Sequence, residues 1–167
     1  MARSTSILGL ARLERKLKRL PQAVLNEIRT AMEASAEEVV RLAKSLVPED
    51  SGDLKESIGW TWGAPPRGSI TLGKIARSAL GKQLTLTIFA GNDKAYYARW
   101  VEFGTAAHST VQTADASRGK RQGGTSQHPG SAAQPFFYPA WRANKKSVRS
   151  NVRKAVRSAA LKVARGG

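Results

Sequence analysis

His108 and His128 are the two imidazoles of the chain, and the chemistry open to them would be metal binding or general-base catalysis. A metal site needs three or four converging ligands. These two stand in a polar stretch with no carboxylate cluster beside them, so both are read as exposed loop residues. A serine nucleophile would need a histidine base held rigidly by an orienting carboxylate, and the segment that carries both histidines is the one least able to hold them. Carboxylates pair at Glu37-Glu38 and Glu49-Asp50, on a solvated helix face and in a turn, and neither setting offers the apolar pocket that a general acid requires. No glycine cluster is followed by the lysine or the helix of a phosphate-binding loop. Zero cysteines remove disulfides, thiol catalysis and cysteine-bound zinc. The residues nominate no catalytic, cofactor-binding or metal site, and the expectation is a protein that is not an enzyme and carries no cofactor.

What remains is binding chemistry. Lys and Arg number 28 against 12 Asp and Glu, giving a net charge of +16, which attracts polyanions. The excess is local: residues 135–167 hold nine basic side chains and no acidic one, whereas residues 47–105 hold seven and six. Arg142, Lys146, Arg149, Arg153 and Arg157, with Lys145, recur at helical spacing as a basic ridge. Most of the aromatic rings fall in Tyr96-Tyr97-Ala98-Arg99-Trp100-Val101-Glu102-Phe103-Gly104-Thr105 and in Pro135-Phe136-Phe137-Tyr138-Pro139-Ala140-Trp141. Two readings stay open for them, core filling between sheet and helices or an anchor at a subunit interface, where Tyr, Trp and Phe dominate. Base stacking on a single strand is the weaker third, because basic residues are not interleaved with the rings.

The elements that must position these residues follow from periodicity. Leu10, Leu13, Leu17 and Leu20 predict a short amphipathic helix ended by Pro21. Val24, Ile28, Met32, Ser35, Val39, Leu42 and Leu46 predict a long one that stops before Pro48, with Glu27, Glu33, Glu37, Glu38, Arg41 and Lys44 on its solvated face. Asp53, with Glu56 three residues later, suits the cap of one helical turn. Ile58, Trp60 and Trp62 alternate as a strand, and the Gly63–Gly68 break suggests a hairpin-like excursion. Ile70 and Leu72 alternate weakly; Leu84, Leu86, Ile88 and Ala90 alternate cleanly before the turn Gly91-Asn92-Asp93. Residues 106–134, rich in Ser, Thr, Gly, Ala and Gln, read as a long flexible loop. From Pro139 on, Trp141, Val148, Val152, Ala155 or Val156, Ala159 and Val163 form the apolar stripe of a terminal helix. The expectation is one α+β domain over 1–167: a helical part at 1–46, sheet and turn motifs at 47–105, the polar loop at 106–134 and the basic C-terminal helix at 135–167. A small, mainly antiparallel sheet would pack against the long N-terminal and C-terminal helices. No long uncharged apolar run suggests a membrane span or a signal peptide, so synthesis is expected in a cytoplasm.

Three motifs in order carry a resemblance. They are Val47-Pro48-Glu49-Asp50-Ser51-Gly52-Asp53-Leu54-Lys55-Glu56-Ser57-Ile58, then Tyr97-Ala98-Arg99-Trp100-Val101-Glu102-Phe103-Gly104-Thr105, then Pro135-Phe136-Phe137-Tyr138-Pro139-Ala140-Trp141. Together they resemble the tail-component and neck protein family of siphophages, over nearly the whole chain except 106–134. The resemblance implies a small α+β structural protein without catalysis, assembled in the bacterial host cytoplasm into a virion ring at the head-tail junction. Its partners would be further copies of itself, with six matching a tail tube and favoured, twelve a portal, and the adjacent head connector and tail tube proteins. Tyr97, Trp100, Glu102 and Phe103 would serve the subunit interface, and Gly104 would permit a backbone conformation that other residues resist. Arg142, Lys146, Arg149, Arg153 and Arg157 would meet packaged DNA, an acidic neighbouring ring or solvent. The neighbour is favoured, because strong attraction to DNA in a channel would slow its passage. The alternative is a basic nucleic-acid-binding protein of phage or prophage origin, although no helix-turn-helix, zinc module or ribonucleoprotein signature is present. A nuclease would need converging acidic metal ligands, which the near-neutral middle lacks.

Overall fold

The computed structural model describes residues 22–74, 85–111 and 125–164. The leucine pattern from Leu10 to Leu20, together with Leu84, lies outside them.

The first described element is α1 (Gln22–Leu46). Its predicted stripe is its buried face: Val24, Ile28, Met32, Ser35 and Val39 are buried, with Leu42 packed partly against them. Leu46 departs from the stripe and is 46% exposed. Ser35 is tolerated in the core because its hydroxyl donates to the Ala31 carbonyl at 2.8 Å, leaving no polar atom unpaired. After Pro48 a single helical turn, α2 (Asp53–Glu56), follows Gly52. The expected side-chain cap is absent: Gly52 occupies the cap position at φ 87°, and Asp53 is the first helical residue.

The sheet comprises β1 (Gly59–Trp62), β2 (Ile70–Lys74) and β3 (Leu86–Ala90), in the order β1-β3-β2, with both outer strands antiparallel to β3. Segment 63–69 is therefore not a hairpin. It carries the chain from one side of β3 to the other, and Thr87 donates its hydroxyl to the Gly63 carbonyl at 2.8 Å. Covered on both faces, β3 buries Leu86, Thr87, Ile88 and Ala90. Glu33 and Glu37 correct the reading of a merely solvated helix face. Glu33 accepts the indole N–H of Trp62 at 2.9 Å and Glu37 that of Trp60 at 2.6 Å. One helical turn rises about 5.4 Å and two strand residues about 6.6 Å, so acids four apart on α1 match indoles two apart on β1. Arg29, one turn before Glu33, places its guanidinium 5.3 Å from the centre of the Trp62 ring.

α3 (Ala98–Phe103) follows the sheet, and the chain ends in α4 (Phe137–Ala164). α4 lies along α1, burying Phe137, Ala140, Val148 and Ala159, with Trp141, Val152 and Val156 packed partly against the core. The two helices run antiparallel, since Lys162 near the end of α4 pairs with Glu27 near the start of α1 at 2.8 Å. The fold is α+β, two long helices against a small antiparallel sheet. Among the described residues no helix is long and apolar enough to cross a membrane.

The segment read as a loop contains a two-stranded antiparallel ribbon, β4 (His108–Val111) and β5 (Thr125–His128), in register from His108↔His128 to Val111↔Thr125. It is held by backbone pairing, with the bridge Thr105↔Ser131 at its base.

Candidate functional site

The three motifs meet in space through a chain of hydrogen bonds. In the first, Leu54 is buried and anchors α2, so that the buried Ser57 hydroxyl donates to the Leu54 carbonyl at 2.7 Å and accepts the Gly91 N–H at 3.0 Å. This pins the turn after β3. There Asn92 Oδ1 accepts the N–H groups of Lys94 and Ala95 at 2.9 and 2.8 Å, a side-chain turn that sets the chain on course for α3.

α3 divides its residues by direction. Ala98 and Glu102 face inward and are buried, Tyr97 and Val101 are half-buried, and Trp100 and Phe103 face solvent. Glu102, 2% exposed, accepts the N–H groups of Phe136 and Phe137 on Oε2 at 2.9 and 2.8 Å and that of Tyr138 on Oε1 at 3.0 Å. These are the donors that a helix start leaves without partners. Pro139, next in line, has no N–H, and Ala140 N–H already reaches the Phe136 carbonyl. A carboxylate from the second motif thus caps the helix opened by the third, where the helix dipole also favours negative charge. Glu102 was expected at a subunit interface; its burial and its three intrasubunit bonds direct it inward instead.

The strap before α4 is fixed at two further points. The Gln134 N–H donates to the Val101 carbonyl at 2.8 Å, and Thr105 exchanges backbone bonds with Ser131 at 2.9 and 3.1 Å. Gly104, at φ 71° and ψ −178°, makes that approach feasible: a Cβ there would lie 2.6 Å from the Ser131 carbonyl oxygen.

What this framework presents outward is an aromatic stripe. Tyr96, Trp100 and Phe103 are 57%, 51% and 56% exposed. Tyr96 and Trp100 meet edge to face at 5.5 Å, and Phe103 lies 5.6 Å from Tyr138. Tyr96 is an addition to the sequence candidates, legible in the spacing 96, 100, 103 once a helix is assumed. Arg142, Lys146, Arg149, Arg153 and Arg157 are all exposed along α4, leading away from the stripe rather than joining it. Beside Tyr97, Val101 and Gln134 a cleft of about 330 Å³ is bordered by Glu49, Asp50 and Lys55; Lys55 and Glu49 form an exposed ion pair at 2.8 Å. His108 and His128 stack at 5.0 Å on the ribbon, where His128 Nδ1 accepts the Gly130 N–H at 3.0 Å. No group of three or more His, Asp or Glu side chains suited to a metal ion occurs among the described residues. The arrangement can bind through aromatic and cationic surface; the residues it assembles are those of a scaffold.

One family model matches the chain, that of the bacteriophage HK97-gp10 tail component, over residues 11–104. No significant match accompanies it among curated proteins or among solved structures. The matched span ends at Gly104, so it takes in the first motif and the second up to its last residue, Thr105, but not the ribbon or the third, narrower than the resemblance read from the sequence. It covers more than half of the chain and includes the Glu102 that holds α4. The chain belongs to the HK97-gp10-like family of phage tail components.

Proposed function

We propose that this tail component is a ring-forming neck or tail-completion subunit, terminator-like in role, that joins the tail tube to the head connector within the virion. The role is structural, without catalysis. The observation that carries it is the aromatic stripe of Tyr96, Trp100 and Phe103, exposed on a short helix and the turn that leads into it, the helix itself being fixed from within. Large exposed apolar side chains gathered in one place mark association surfaces, and rings at such surfaces supply most of the binding energy. A ring of identical subunits needs head-to-tail contacts between two unlike patches; six copies would match a tail tube and twelve a portal.

Two results test this reading. Electron microscopy of particles from a producing strain lacking the gene is expected to show full heads beside free tails, and intact infectious particles would overturn it. Trp100→Ala combined with Phe103→Ala is expected to weaken subunit association by roughly 30-fold per residue, about 2 kcal/mol each, while monomer stability moves by less than about 1 kcal/mol because both side chains face solvent. Sedimentation velocity and thermal melting read the two effects separately; unaltered association would remove the stripe from the interface. The nucleic-acid alternative is favoured by the exposed cations of α4, and a steep salt dependence of binding to unrelated duplex DNA, persisting at physiological salt, would support it.

A further inference from the structure

Among the described residues, the ridge on α4 gathers exposed cations with no acidic side chain in its own helix. Lys146, Arg149, Arg153, Lys154 and Arg157 are exposed and, with Ser150, border a shallow trough of about 370 Å³. The ion pairs Lys55–Glu49 and Lys162–Glu27 do not involve them. Like charges one turn apart repel, and nothing among the described residues relieves that repulsion.

The opposite charge is concentrated elsewhere on the same chain. Glu49, Asp50, Asp53 and Glu56 are all exposed in the turn between α1 and β1, and of these Glu49 is paired, with Lys55. This turn borders the same cleft as Gln134 and therefore lies by the start of α4. At 1.5 Å per residue the trough, from Lys146 to Arg157, begins about 14 Å and ends about 30 Å further along that helix, beyond the reach of the acidic side chains of the same subunit. The two patches are complementary, both exposed, and separated in a way that suits a contact between neighbours; within the acidic one Glu49 pairs with Lys55 and Asp53 accepts the Ser51 hydroxyl at 3.1 Å.

We propose that the ridge of α4 receives the acidic turn Glu49–Glu56 of a second copy of this chain, forming one of the head-to-tail contacts of the ring. The inference rests on the ring reading above. Each subunit offers one acidic turn and one basic trough, so the contact repeats around the ring and leaves neither patch unfilled once the ring closes. Being exposed at its margins, it is weakened by salt.

The test uses assembled particles and the full chain. No cysteine is native to the sequence, so Asp50→Cys and Arg153→Cys in one chain introduce two thiols. An acid–arginine pair holds its Cβ atoms further apart than the roughly 4 Å that a disulfide requires, so a short bis-maleimide is the appropriate probe. A ladder of covalent oligomers extending to the closed ring is expected, with each single variant giving none. In parallel, reversing Arg149, Arg153 and Arg157 to Glu is expected to lower particle assembly about tenfold or more, and so is reversing Glu49, Asp50 and Asp53 to Lys; combining the two sets is expected to restore it. Circular dichroism of each variant checks that the fold is kept. Joined particles without a ladder would overturn the pairing and leave the ring reading standing, as would a combined variant that fails to recover while folded. Cross-linking of Arg153→Cys to a different particle protein would transfer the ridge to an adjacent ring and overturn the proposal. Intact assembly with lost duplex DNA binding would transfer it to DNA. The ring reading itself is judged separately, by the gene deletion and by the association of the Trp100→Ala and Phe103→Ala variant.

Discussion

Replacing Glu102 by alanine is expected to destabilise the subunit by about 3–5 kcal/mol, since hydrogen bonds to a charged group contribute roughly 1.5–3 kcal/mol each and their loss leaves buried donors unpaired. Three backbone N–H groups, of Phe136, Phe137 and Tyr138, lose their acceptor at once, and the first two belong to buried residues. For a chain of this size the melting temperature should fall by roughly 10 °C. Glu102→Gln separates charge and geometry from mere bulk. Its carbonyl oxygen can still take the two donors now shared by Oε2, but its amide must then face the Tyr138 N–H, so about half of the loss is expected. Urea titration of the three proteins measures the series, and a loss below about 1 kcal/mol for the alanine variant would contradict the cap.

Gly104→Ala is expected to cost about 3 kcal/mol, because the backbone conformation at φ 71° and ψ −178° is one that side-chain-bearing residues adopt only at about 1–3 kcal/mol, before any steric cost is added. The added Cβ would stand 2.6 Å from the Ser131 oxygen and 2.8 Å from the Ala133 nitrogen, and backbone on both sides cannot swing aside as a flexible side chain would. Gly52→Ala is the control: its φ is also positive, at 87°, but nothing lies within 4 Å, so about 1 kcal/mol is expected there. Thermal melting compares the pair, and equal losses would show that the strap yields to the methyl group. Combined with Glu102→Ala, Gly104→Ala should cost less than the sum, since both changes release the same strap.

Much of the scaffold was legible in the spacing of apolar residues. The stripe from Val24 to Val39 faces the core as read, and Leu86, Ile88 and Ala90 share one face of the central strand through its period of two, although Thr87 between them is buried as well. The failures share a cause. Glu37 is exposed as read, yet its bond to Trp60 and that of Glu33 to Trp62 went unread, because helical periodicity describes one element and the partners lie on another. Glu102 read as a surface candidate because the donors it satisfies come 34 to 36 residues later; no local pattern encodes such a cap. The ribbon at 108–111 and 125–128 went unread because its strands pair through backbone, which composition does not display. Tyr97, Trp100 and Phe103 were singled out as aromatic, yet their division into half-buried and exposed depends on the direction of α3, which the inward placement of Glu102 fixes.

The pairing of α1 with α4 has a consequence for the timing of synthesis. Lys162 meets Glu27 across 135 residues, and the Glu102 carboxylate has no helix to cap until Phe136 and its successors have been made. Contacts so distant along the chain close late. At about 5–20 residues per second, several seconds separate the emergence of the Trp100 segment from that of the end of α4. During that interval α3 is tethered on one side only, and its rings have no fixed presentation. A chain that ends before α4 therefore lacks the three N–H donors that Glu102 holds, and the exposed rings of α3 gain their fixed setting only when synthesis has passed the third motif.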